Sequence, residues 1–179
     1  MKLMTKKINL KITIEETAER HPVPVLGTDY KVKIIYKNIK VAELDVEDKI
    51  IKISLPNKYK KANNERILDI AIDKMYEQIA KIEVERAMEK TRILLGFAPE
   101  DYKISKIIKG FGKCENNKIT INPYIIKYNR KFIEYVVLHE YCHLKYKSHC
   151  RSFYELLAKY EPNYEFYEQL ISNATETIK

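Results

Sequence analysis

An α+β fold is what this sequence predicts, and three observations predict it. Apolar and polar residues alternate through much of the first 60 positions, which is the period of half-buried strands. The stretch from Asn64 to Leu95 then runs without proline or glycine and is rich in Ile, Ala, Glu, Lys and Met, as a long helix requires. Two short strand-like runs and three helical segments follow, so strands and helices are grouped rather than alternating as βαβ units.

Ile8, Leu10, Ile12 and Ile14 alternate with polar residues, and Tyr30, Val32 and Ile34 do so again after the turn signal Leu26-Gly27-Thr28-Asp29. Runs from Lys40 to Leu44 and Lys49 to Leu55 are separated by the acidic Asp45-Val46-Glu47-Asp48 and closed by Pro56. A small antiparallel sheet is the expected result. In the long helix, Ile67, Ala71, Met75, Ile79 and Ile82 form the expected core-facing stripe, with Ala87 and Ile93 in looser register. Gly96 suits a left-handed stop and Pro99 prevents continuation. Tyr102 to Ile108 and Lys118 to Asn122 read as the two strands of a hairpin, with Cys114 in its glycine- and asparagine-bearing loop. Helices are expected from about Arg130 to Tyr146, from about Arg151 to Tyr160 before Pro162, and after Asn163.

Composition excludes several classes. The 179 residues are 45% hydrophobic and 32% charged, which is ordinary for a globular chain that buries a real core. No apolar run approaches the roughly 20 residues that span a bilayer, so no membrane insertion is expected. The start Met1-Lys2-Leu3-Met4-Thr5-Lys6-Lys7 is not followed by the continuous apolar region of a secretory signal. Three cysteines without paired spacing do not form a disulfide framework, and a cytoplasmic protein is expected. A net charge of +8 attracts polyanions, but the lysines are spread along the chain without a dense block, the pattern of a solvated surface.

The decisive segment is Val136-Val137-Leu138-His139-Glu140-Tyr141-Cys142-His143-Leu144-Lys145-Tyr146-Lys147-Ser148-His149. The chain has four histidines, and three of them fall in this stretch. His139 and His143 are four apart, so on a helix they share one face and both imidazoles can bind one zinc ion. Glu140 is placed to reach an activated water rather than the metal, as general base. His149 returns to the same ion if the helix ends between it and His143, with Ser148 as a candidate cap for the next helix. Three neutral ligands leave a fourth tetrahedral position for water, the mark of a catalytic zinc. The spacing coincides with that of metzincins, but Tyr146 stands where they need glycine, and all four methionines lie upstream of the segment. Glu161, Glu165 and Glu168 offer an alternative third ligand on the closing helices. An oxyanion donor is also needed, and Tyr141, Tyr146 and Tyr154 are candidates among which the sequence does not choose.

In this setting the chain resembles the YgjP-like family of predicted metal-dependent hydrolases, relatives of the SprT-like zinc proteases. The resemblance starts at Leu26-Gly27-Thr28-Asp29-Tyr30, beside the family's Leu-Gly-x-x-Tyr, and runs through the long helix to the last one. Phe111-Gly112-Lys113-Cys114 stands beside Trp-Gly-Ser-Cys, and Ile119-Thr120-Ile121-Asn122 beside a strand ending in Asn. Tyr135 to Leu144 matches Tyr-Val-Val-x-His-Glu-Leu-x-His-Leu, and Ser148 to Tyr154 resembles Asn-His-Ser-x-x-Phe-Trp. Phe111, Lys113, Tyr141, Ser148, Cys150 and Tyr154 depart from that pattern, and none of them replaces a ligand. The resemblance implies a zincin-like fold, His139, His143 and His149 as ligands, and Glu140 as base. It leaves open what the loop from Phe111 to Cys114 does.

One domain over residues 1–179 is expected, mainly strands over 1–60, with the long helix, hairpin and metal-site helices over 62–179. Three functions compete. A zinc metallopeptidase acting on a peptide or protein needs an exposed strand edge beside the metal helix, from Lys118–Asn122 or Tyr102–Ile108. A nucleic-acid-associated protease is suggested by the charge and by the SprT-like kinship. A non-enzymatic zinc module needs a fourth ligand, for which Cys142 or Cys150 is the candidate.

Overall fold

The computed structural model describes residues 22–60 and 65–177. The alternating run Ile8–Ile14 lies outside the described residues. The architecture is α+β. A four-stranded sheet is formed by β1 (Val23–Val25), β2 (Thr28–Lys37), β3 (Glu43–Glu47) and β4 (Ile50–Pro56), in the order β1-β2-β4-β3. Helix α1 (Glu65–Leu95) follows, then a three-stranded sheet of β5 (Asp101–Ile104), β6 (Gly112–Glu115) and β7 (Lys118–Ile121) in the order β5-β7-β6. Helices α2 (Arg130–Lys145), α3 (Arg151–Tyr160) and α4 (Tyr164–Thr177) complete the described chain. No helix among the described residues is long and apolar enough to cross a membrane.

The sheets are mixed rather than purely antiparallel. β4 is inserted between β2 and β3, running parallel to β2 and antiparallel to β3. The insertion buries β4 on both sides, and Ile51, Ile53 and Leu55 are fully inaccessible. The acidic segment is not a spacer: Asp45 to Glu47 belong to β3, and only Asp48-Lys49, both with positive φ, make the turn. The second sheet departs from expectation in the same way. β5 ends at Ile104 and pairs parallel to β7, while the hairpin is β6–β7 about Asn116-Asn117. Cys114 therefore lies in a strand and not in a loop.

Helix α1 is a single element that stops at Gly96, whose φ of +75° is the expected left-handed residue. Its buried face overlaps the expected stripe, with Met75 and Ala87 buried and Ile67, Ala71 and Ile79 packed against the core, but it departs at Ile82 and Ile93. Leu68, Met75, Tyr76, Ala80, Val84, Ala87 and Met88 are buried, whereas Ile82 and Ile93 are 68% and 69% exposed. The helix carries more apolar residues than one face can bury, and contact with α2 and with the 3-10 turn Pro123–Lys127 selects the arc.

Two contacts position α2. The two-residue turn Leu26-Gly27 donates backbone hydrogen bonds to Ile126 O (2.7 Å) and Lys127 O (3.3 Å), and a Cβ on Gly27 would meet Asn129 Cβ at 3.0 Å. Asn129 itself caps α2, its side chain accepting from the Phe132 N–H at 3.0 Å.

Candidate metal centre

The cluster is built on a helix that is buried along most of its length. From Phe132 to Cys142 every α2 residue but Glu134 is buried, so His139 and Glu140, 8% and 6% exposed, enter the core as polar groups. His139 and His143 stand one turn apart on the same face. The helix ends after Lys145, and extended backbone at Tyr146 redirects the chain so that His149 comes back to the pair. The ring of Phe153, fully buried on α3, lies against all three imidazoles with centroid separations of 5.0, 4.6 and 4.8 Å. Ser148 does not cap α3. Cys150 holds that position without a side-chain bond, and His149 sits just before it.

His149 Nε2 is 3.0 Å from His139 Nε2 and 3.1 Å from His143 Nε2. The outer nitrogens decide what these contacts are. His143 Nδ1 lies 3.0 Å from Tyr146 O, a carbonyl that can only accept, so the proton sits on Nδ1 and the Nε2 lone pair faces inward. His139 Nδ1 lies 2.9 Å from a Glu168 carboxylate oxygen, off the line of a full hydrogen bond, and has no other partner. That contact assigns its proton the same way. Two inward lone pairs leave the short contacts to be satisfied by one His149 proton or by a cation. Tetrahedral zinc with bonds of about 2.0–2.1 Å sets its nitrogens roughly 3.3–3.4 Å apart. The observed spacing is close to that, so the donor set fits a divalent metal. Among the described residues these three histidines form the cluster able to hold one. Burial lowers the pKa of His143 and of His149, which favours the neutral rings that ligation needs.

Glu140 extends from the same helix against β6. Its space exists because residue 112 is glycine: a Cβ there would lie 2.4 Å from Glu140 Oε1, 2.6 Å from Cγ and 2.7 Å from Cδ. Burial, opposed by His139 and aided by Glu168, pushes the Glu140 carboxyl up to about 7. The segment left open by the sequence thus lines the site. Phe111 packs edge-on against Phe132 and Tyr128. The buried Asn122 holds the loop around it, donating its backbone N–H to Phe111 O at 2.8 Å and its Nδ2 to Ile107 O and Gly110 O, each at 3.3 Å.

The other sequence candidates separate cleanly. Glu168 reaches the cluster, but at the outer nitrogen of His139, and Glu161 and Glu165 do not join it. Tyr141 is buried with its hydroxyl donating to Met88 O at 3.1 Å, facing α1. Tyr154 stacks on His149 at 6.0 Å. Cys142 is fully buried, Cys150 is exposed, and neither belongs to the histidine cluster. Gly112 and Glu168 take part in ways the sequence did not reveal. The sequence reading places Gly112 in a loop, and only its position in β6 marks it as a glycine that allows close approach.

Three histidines converging beside a buried carboxyl on an interior helix are the arrangement of a metal-dependent hydrolase, here of the metallopeptidase type. The model of the family described as "YgjP-like, metallopeptidase domain" matches residues 2–174, and the chain belongs to that family. The family implies a divalent metal and a peptide or protein substrate. Among solved structures, the metallopeptidase zymogen of Pyrococcus abyssi abylysin is similar at 22% identity and a TM-score of 0.47, over 52% of this chain and 95% of that one. The metallopeptidase zymogen of Methanocaldococcus jannaschii jannalysin is similar at 18% identity and a TM-score of 0.46, over 51% of this chain and 89% of that one. No curated protein matches.

Proposed function

We propose that this chain is a zinc-dependent peptidase, with His139, His143 and His149 holding the metal and Glu140 as general base. The observation that carries this reading is the convergence of three imidazole nitrogens at 3.0 and 3.1 Å, two of them with their outer nitrogens already engaged. When bound, zinc supplies a Lewis acid and a water activated near neutral pH.

The protein's own residues do the rest. Glu140 takes a proton from the nucleophile and returns it to the leaving amine. Burial disfavours the charged carboxylate, so Glu140 accepts a proton more readily than an exposed glutamate would. The extended substrate docks on β6, the edge strand that packs on α2. β7 lies between β5 and β6, so the expected edge at Lys118–Asn122 is closed, and β5 is the edge on the far side. A structural zinc module is disfavoured because neither Cys142 nor Cys150 completes a fourth ligand. We also take residues 1–179 as one domain, since one apolar cluster runs from Val23 through α1 and α2 to Ala174.

The test is the metal content and peptide turnover of wild type, His149→Ala and Glu140→Gln. About one zinc per chain is expected in wild type, with clear loss in His149→Ala. Glu140→Gln should keep its zinc while turnover falls by about 10²–10⁴-fold. Full zinc in His149→Ala would remove that ligand, and undiminished turnover in Glu140→Gln would remove the base.

A further inference from the structure

We infer that Glu168 of α4, held by Tyr135, is the positioning residue of His139, so that the last helix sets the aim of the metal site. This rests on the reading of the three histidines as ligands.

An imidazole that binds a metal through Nε2 is fixed in tautomer and rotation by whatever its Nδ1 meets. For His143 that partner is a backbone carbonyl three residues on, which local chain geometry supplies without a side chain. His139 has no such neighbour. It is the most buried ring of the three, and its Nδ1 meets only Glu168 Oε1, at 2.9 Å. The same oxygen accepts the Tyr135 hydroxyl in a short hydrogen bond. Tyr135 lies one turn before His139 on α2 and is 1% exposed, so its hydroxyl needs this partner inside the core.

The arrangement is locked from α4. Tyr167 stacks on Tyr135 with centroids 4.7 Å apart and planes at 19°, and is itself nearly buried. Glu168 is the next residue, so the stack fixes where its carboxylate emerges. Hydroxyl, carboxylate and imidazole then form a line from α2 through α4 and back to α2. Glu168 approaches His139 on Nδ1, while the cluster of nitrogens lies at Nε2. It is therefore placed to orient a ligand and not to be one.

The test is zinc affinity by competition with a chromogenic chelator, together with the d–d spectrum of the Co²⁺-loaded protein, for wild type, Glu168→Ala, Glu168→Gln and Tyr135→Phe. Glu168→Ala should weaken zinc about 10–100-fold. Glu168→Gln, whose amide oxygen still accepts from Nδ1, should recover most of that loss. Tyr135→Phe keeps the stacked ring and should weaken zinc only several-fold. All variants should keep the wild-type cobalt spectrum, because the ligands are unchanged. Wild-type zinc affinity in Glu168→Ala would overturn the positioning role alone. A cobalt spectrum altered in coordination by Glu168→Gln would overturn it in favour of direct ligation. Failure of wild type itself to bind zinc would overturn the three-histidine reading and the positioning role with it.

Discussion

Replacing Gly112 by alanine tests the fit of Glu140 in its place without needing a substrate. The φ of Gly112 is not positive, so alanine costs nothing in the backbone, and the effect is one of space. The added methyl would sit 2.4–2.7 Å from three Glu140 side-chain atoms, where comfortable contact is about 3.5 Å. Either strand β6 or the carboxylate must move by about 1 Å. Glu140 is 6% exposed and has little free volume to enter. Overpacking of this size costs about 1–3 kcal/mol, or about 2–4 °C in Tm for each kcal/mol in a chain of this length. A misplacement of about 1 Å also costs roughly 100-fold in turnover. The assay is a double-mutant cycle by denaturant unfolding. Gly112→Ala should cost about 1–3 kcal/mol in wild type and close to nothing in a Glu140→Ala background, where the clashing atoms are gone. An equal cost in both backgrounds would refute the steric coupling of the two residues.

Two further outcomes follow from other parts of the structure. Arg130, at the first turn of α2, donates two hydrogen bonds of 2.7 and 2.8 Å to Glu83, whose side chain is 10% exposed on α1. That pairing holds the Glu83 carboxyl below its usual range, against the opposing effect of burial. Its stabilisation is fully present above the unfolded carboxylate pKa of about 4.3 and is lost as pH falls through the lower folded value. Arg130→Met should therefore destabilise the fold at pH 7 and progressively less as the pH falls below about 4, measured by urea unfolding across pH. A cost independent of pH would count against the pair. Tyr141→Phe removes only the bond to Met88 O and should cost about 1 kcal/mol in unfolding while leaving turnover intact. Loss of turnover at unchanged zinc content would return Tyr141 to the catalytic site.

Much of the site was legible because its geometry is local. A four-residue spacing on a helix puts His139 and His143 on one face, and Asn129 starts that helix by a bond to its own third neighbour. His149 needed only that the helix end soon after His143, and Lys145 is its last residue. The turns at Leu26-Gly27 and Asn116-Asn117 are likewise marked by Gly27 and the two asparagines, which tolerate positive φ, while Leu26 adopts it beside Gly27.

What the tertiary structure decided is which of several equivalent local patterns meet. Strand periodicity states that a run has two faces but not its partner or direction, so the parallel pairings β2–β4 and β5–β7 arise only when the strands assemble. Helix α1 has apolar residues nearly all round, and packing against α2 buries Val84 and Met88 while leaving Ile82 and Ile93 in solvent. Glu168 is one of three glutamates offered as an alternative third ligand, and in the structure, where Tyr167 stacks on Tyr135, it lies at the outer nitrogen of His139. Gly112 became necessary only when β6 was laid against the Glu140 side chain. The sequence by itself pointed to His139, His143 and the helix that carries them, because that pairing depends on bonds spanning one turn. The register of distant segments depends on contacts between residues tens of positions apart, and it settled what stands behind and beside those donors.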